Sequence, residues 1–115
     1  MKETEGGMPN ESADRKMFVC IWEYRVRPAE RTRFETTYRP EGPWVEPFRR
    51  ARGHVETRLC RDRDDHARYV TVDPWEAVDA YDRFRRDFAA EYTRLDAECE
   101  PLTHSEVLLG HFEVL

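Results

Sequence analysis

The side chains in this chain best suited to chemistry are aromatic rings with polar tips, with one carboxylate near them. Trp22 and Tyr24 lie two apart in the run Met17-Phe18-Val19-Cys20-Ile21-Trp22-Glu23-Tyr24-Arg25-Val26, so in a strand they share a face. Phe84, Phe88 and Tyr92 recur at intervals of four and share a helical face. If these faces meet, the space between them is lined by rings and phenols. Such a cleft suits a planar aromatic ligand, because rings stack and hydroxyls fix orientation. In that reading Tyr24 and Tyr92 hold substrate oxygens, while Trp22, Trp75, Phe84 and Phe88 give apolar surface. The same spacings also serve an ordinary packed core. Asp73, just before Pro74 and Trp75, likewise has two readings. It is either a residue that turns the chain or a carboxylate at the cleft mouth that takes a substrate proton.

Other chemistries find no support in the pattern. There is no G-x-S-x-G, no phosphate-binding loop, no H-E-x-x-H and no dinucleotide fingerprint. The acidic stretch Asp62 to His66 lacks the ligand spacing and glycine of a calcium loop. His54, His66, His104 and His111 show no helical i, i+4 pair and no neighbouring cysteine, so no metal site is expected; His54 and His111 meet only if strands bring them together. The net charge of −5 offers no basic excess for phosphates, which argues against nucleic acid as a partner. Cys20, Cys60 and Cys99 are widely spaced with no C-x-x-C. With no apolar N-terminal segment, this leads to the expectation of reduced thiols in a cytoplasm. No apolar run approaches the roughly 20 residues that span a membrane.

The elements that would position these residues follow from periodicity. Residues 1–16 hold Gly6-Gly7, Pro9 and many charges, with no aromatic residue, and are expected to be a disordered tail ahead of a domain over 17–115. The first strand is apolar on both faces: Phe18, Cys20, Trp22, Tyr24 and Val26 on one, Met17, Val19 and Ile21 on the other. Such a strand needs cover on both sides. Pro28 suits the first turn of a helix carrying Phe34 and Tyr38. A short helical piece follows at Trp44, Val45 and Phe48. Strands are expected over His54–Cys60 and Ala67–Asp73, joined by the polar turn between them. Val78, Tyr81, Phe84, Phe88, Tyr92, Leu95 and Cys99 predict one helix of about six turns. Pro101 ends it, and a last strand is expected from Glu106 to Val114 with Gly110 as a bulge point.

The order strand, helix, strand, strand, helix, strand predicts an α+β, ferredoxin-like βαββαβ fold with a four-stranded antiparallel sheet. Helices then cover one face only, and a second copy of the chain is the simplest cover for the other. This order, the Ile-x-Glu-x-Arg-Val strand, the Tyr-Val-Thr-Val-x-x-Trp strand end and the amphipathic helix after it resemble the dimeric α/β-barrel proteins, and among them the antibiotic biosynthesis monooxygenase-like group. The resemblance runs from Met17 to Leu115. It implies a homodimer whose sheets face each other as a barrel, with a small-molecule cleft between each sheet and its helices. For function it implies oxidation of phenolic or enolisable aromatic substrates by dioxygen without metal or flavin, or else a non-catalytic ligand-binding module of the same fold. The catalytic residues would then be Tyr24, Asp73 and Tyr92. Haem-degrading members of the group place an Asn near the position of Tyr24, a Trp near that of Phe84 and a helical His after it. Residues 76–100 here contain no His.

Overall fold

The computed structural model describes residues 16–115. Strand β1 spans Phe18–Val26. A 3-10 turn at Pro28–Glu30 leads into helix α1, Arg31–Tyr38. Helix α2 is short, Glu46–Arg50. Strands β2, Arg58–Arg61, and β3, Arg68–Trp75, form a hairpin. Helices α3, Val78–Asp87, and α4, Ala89–Cys99, precede a 3-10 turn and strand β4, Thr103–Glu113. The sheet is antiparallel in the order β2-β3-β1-β4. This is the expected βαββαβ topology, with both halves crossing the same face. The expectation for the tail falls, apart from Lys16, outside the described residues.

Register decides which side chains meet the helices. Cys20 pairs with Asp73, Trp22 with Thr71 and Tyr24 with Tyr69, so these residues share the inner face. Periodicity left β3 undecided because both of its faces carry apolar residues. The structure turns Tyr69, Thr71, Asp73 and Trp75 inward, all buried, and leaves Val70, Val72 and Pro74 outward. On β1, Val19 and Ile21 face outward with them. The core under the inner face is strongly aromatic. Phe34, Tyr38 and Trp75 are each 0% exposed. The Phe34 and Tyr38 rings stack at 4.3 Å, and the Tyr24 ring sits 5.3 Å and 5.1 Å from them.

Four expectations change in detail. The strand expected over His54–Cys60 is confined to Arg58–Arg61. His54 keeps only an isolated bridge to Trp75, and the Val55 N–H bonds the Pro74 carbonyl. Strand β3 runs on past Asp73 to Trp75; Pro74 lacks an N–H but still offers this carbonyl. The single long helix is two, because Phe88 leaves the helical region at φ −110° and ψ 19°. Val78, at the start of the apolar stripe, is 48% exposed. Strand β4 starts earlier than expected, at Thr103, and its register against β1 slips between Leu108 and Gly110, a bulge beside the glycine.

Gly53 sets the entry of the chain into this layer. Its φ of +95° is a conformation that L side chains rarely adopt. A Cβ there would lie 2.5 Å from the Ala80 Cβ on α3. The Glu76 N–H bonds the Gly53 carbonyl at 2.8 Å, which ties the loop to the end of β3.

Candidate functional site

Beside Tyr24, between sheet and helices, lies a void of about 10 Å³. That is room for about one water molecule. Strand β1 lines it with Cys20, Trp22 and Tyr24, and β3 with Thr71, Asp73 and Trp75. Trp44 and Phe48 close one side, and Tyr81 and Tyr92 reach it from α3 and α4. Tyr24, Thr71, Asp73 and Trp75 are buried, whereas Trp22, Tyr81 and Tyr92 are half-buried. The buried part of the lining is therefore Cys20, Tyr24, Thr71, Asp73 and Trp75 on the sheet with Trp44 and Phe48 beside them, and the half-exposed Trp22, Tyr81 and Tyr92 form its outer wall. Of the residues singled out from the sequence, Trp22, Tyr24, Asp73, Trp75 and Tyr92 come together here. Phe84 and Phe88 do not line the void. They stack on each other at 5.1 Å, and Phe84 supports Phe48 at 4.6 Å and Trp75 at 5.2 Å from behind.

Among the described residues Asp73 is the only carboxylate in this lining. It is held by two side chains from the loop before β2. The Thr57 hydroxyl donates a hydrogen bond to Asp73 Oδ1. His54 Nε2 lies 3.1 Å from the same oxygen and 3.1 Å from Thr57 Oγ1. The His54 imidazole stands edge-on to Trp75 at 4.9 Å and to Phe48 at 5.5 Å. Behind the pair, His54 and Thr57 also line an open surface groove of about 450 Å³ with Arg49, Val55 and Glu56.

The other polar groups are donors. The Tyr24 hydroxyl and Thr71 Oγ1 are 3.1 Å apart. Burial pushes the Tyr24 phenol well above its usual range, against a smaller opposing effect of the Thr71 bond. Burial also raises Tyr92, although the Arg85 charge opposes it, and raises Tyr81. The Cys20 thiol is pushed up to about 11, first by burial and then by the nearby Asp73 charge. At neutral pH these four groups keep their protons. Among the described residues the buried Trp75 Nε1 has no hydrogen-bond partner, an unusual state for a buried donor. Outside the void the Arg85 guanidinium lies 4.1 Å over the Tyr92 ring and donates to the Tyr81 hydroxyl at 3.0 Å. It clamps the two phenols of the outer wall together.

The profile of the antibiotic biosynthesis monooxygenase family matches residues 17–91. The chain belongs to this family. No curated protein sequence matches it closely enough to count as a relative. Among solved structures, a variant of SnoaB, a cofactor-independent oxygenase from Streptomyces nogalater, superposes with a TM-score of 0.72 at 21% identity, over 86% of this chain and 93% of that one. PA3566 from Pseudomonas aeruginosa superposes with a TM-score of 0.69 at 19% identity, over 89% and 97%. A candidate antibiotic biosynthesis monooxygenase from Bordetella bronchiseptica reaches 26% identity and a TM-score of 0.67, over 87% and 98%. At these identities the first two likenesses establish the shared fold alone.

Sequence reasoning missed His54 and Thr57, which hold Asp73, and Thr71, Tyr81 and Arg85. His54 and Thr57 lie 19 and 16 residues from Asp73, and an unbroken β2 would have placed Thr57 in the sheet. The Thr71 position was legible, since it alternates with Asp73 along β3. Arg85 follows Phe84 in a mixed-charge stretch where nothing distinguishes it from a solvated arginine.

Proposed function

We propose that this chain is a cofactor-independent oxygenase of small phenolic or enolisable aromatic molecules. The observation that carries the reading is Asp73: a buried carboxylate, held through one oxygen, in an aromatic lining whose other polar groups are proton donors. Such a site favours a substrate anion. Asp73 takes the proton from the substrate carbon or hydroxyl. Tyr24, Thr71 and the unpartnered Trp75 N–H supply hydrogen bonds to the oxygen on which negative charge collects. Trp22 and Tyr92 flank the ring system. The anion is itself the reductant: it passes an electron to dioxygen, and the resulting pair combines to a peroxide. Loss of water from that peroxide turns a ring CH₂ into C=O, so one dioxygen is consumed and one water formed per substrate. The protein contributes orientation, exclusion of water and hydrogen bonds.

A ring system does not fit in about 10 Å³. Binding therefore requires the half-exposed wall of Trp22, Tyr81 and Tyr92 to swing out, with the Arg85 clamp as the contact that must yield. The small void also favours a second reading, a non-catalytic module of the same fold whose cleft stays filled. Soaking crystals with anthrone separates the two. Density between Trp22 and Tyr92 beside Asp73 supports the oxygenase, and an unchanged, closed wall with no heat of binding in solution supports the filled module.

We also propose that the chain works as a homodimer, its outer sheet face covered by a second copy. The support is the outward row of Val19, Ile21, Val70, Val72, Pro74, Val107 and Phe112 on the face that, among the described residues, no helix covers. Among the described residues no helix is long and apolar enough to cross a membrane.

A further inference from the structure

The two oxygens of Asp73 are not equivalent. Oδ1 accepts from the Thr57 hydroxyl and, in the tautomer protonated at Nε2, from His54, and among the described residues Oδ2 receives no donor. The His54 side chain is 3% exposed and its ring is held edge-on between Phe48 and Trp75. Neither His54 nor Thr57 lines the void; both border the 450 Å³ groove on the other side of Asp73, with their side chains buried beneath it. We propose that His54 and Thr57 are positioning residues for the proton-transfer step, an inference that rests on the role given above to Asp73. Two charge-assisted hydrogen bonds to one oxygen fix the carboxylate's rotation about its Cβ–Cγ bond. They leave Oδ2 as the oxygen that accepts the substrate proton. Once Asp73 is protonated at Oδ2, the bonds to Oδ1 keep the new O–H aimed at the substrate, ready to return the proton to the peroxide.

This arrangement separates orientation from binding. Removing His54 frees the carboxylate to rotate but removes nothing that touches a substrate, so the rate should fall while the half-saturating concentration stays the same. The groove of about 450 Å³ borders His54, so truncation to alanine vacates the ring's place next to an opening that free imidazole can enter.

The test is anaerobic stopped-flow mixing of the full chain with anthrone, following the absorbance of its anion, with oxygen uptake measured in parallel. His54→Ala is expected to lower the limiting rate of anion formation about 10- to 100-fold, with half-saturation unchanged within about twofold. Added imidazole should restore much of the rate, and His54→Gln, whose amide N–H reaches the same oxygen, should retain more of it than the alanine variant. Thr57→Val should show the same loss without imidazole rescue. An unchanged rate in His54→Ala overturns the proposal. So does a loss that neither imidazole nor glutamine relieves, because that marks a merely structural residue. Ionisation of anthrone by the wild-type chain without oxygen uptake overturns the oxygenase reading alone and leaves the positioning role standing. A wild-type chain that leaves anthrone neutral counts against both.

Discussion

Ile21 stands at the centre of the outward sheet face, opposite Val72 on one side and Gly110 on the other. Replacing it with lysine tests whether a second copy covers that face. Val107 and Phe112 are 49% and 47% exposed on this face, and burying the rest of each is worth about 1 kcal/mol, half of the usual value for a whole side chain. Val19, Ile21, Val70, Val72 and Pro74 are half-buried already and add roughly 0.5 kcal/mol each. Two subunits together then gain about 9 kcal/mol, within the range of about 4–15 kcal/mol that association itself costs. The balance is close, so one misplaced charge tips it. The acid nearest to position 21 on that face of β1, Glu23, is already bonded to Arg68 and is not free to neutralise a lysine. Burying unpaired ammonium groups costs several kcal/mol, so the dimer constant should weaken by at least about 100-fold. Sedimentation velocity across the micromolar range reads this directly. A native chain that sediments at its monomer mass of 13.8 kDa refutes the covered face. A dimer that survives Ile21→Lys unchanged refutes the assignment of faces on β1.

Three further outcomes follow from named contacts. Gly53→Ala should destabilise the fold by about 1–3 kcal/mol, from the positive φ and the contact with Ala80 together, and urea unfolding measures it. Glu106 has its carboxyl raised by burial and then by the nearby Asp96 and Glu100. Its contribution to stability is present below the ordinary glutamate range and lost as pH rises through the raised value. Glu106→Gln should therefore raise Tm at pH 8 and leave it unchanged at pH 4, and a scan at each pH checks the sign. Trp22→Ala removes part of the half-exposed wall. It should speed the binding of anthrone in stopped-flow mixing, and an unchanged association rate would place the opening elsewhere.

The sheet was legible because β1 carries its pattern openly: rings and a thiol on one face, aliphatics on the other. The hairpin was legible from the charged turn, where the Asp62 carboxylate accepts the N–H groups of Asp64 and Asp65. Strand β3 was not resolved by pattern, since Val70 and Val72 alternate with Tyr69, Thr71 and Asp73 and either set could have been buried. Pairing with Cys20, Trp22 and Tyr24 decides it. The break at Phe88 also left no mark, because the apolar stripe runs through it and neither proline nor glycine stands there. Within the site, Trp22, Tyr24, Asp73, Trp75 and Tyr92 were found from the pattern of their elements, Thr71, Tyr81 and Arg85 were passed over on theirs, and the two residues on the loop before β2 carried no signal at all. His54 and Thr57 reach Asp73 only because the chain leaves the ladder between Gly53 and Arg58, and no periodicity reports a departure of that kind.

The most direct test of Asp73 as the proton acceptor of an oxygenase is oxygen consumption with anthrone or a hydroxylated naphthacene, wild type against Asp73→Asn. The wild-type chain is expected to consume dioxygen in equal amount with substrate, with no added metal, flavin or nicotinamide. Asp73→Asn should lower that rate by about 10²- to 10⁴-fold while still binding the aromatic molecule. Equal rates for the two proteins, or no oxygen consumption by the wild-type chain with any of these substrates, would contradict it.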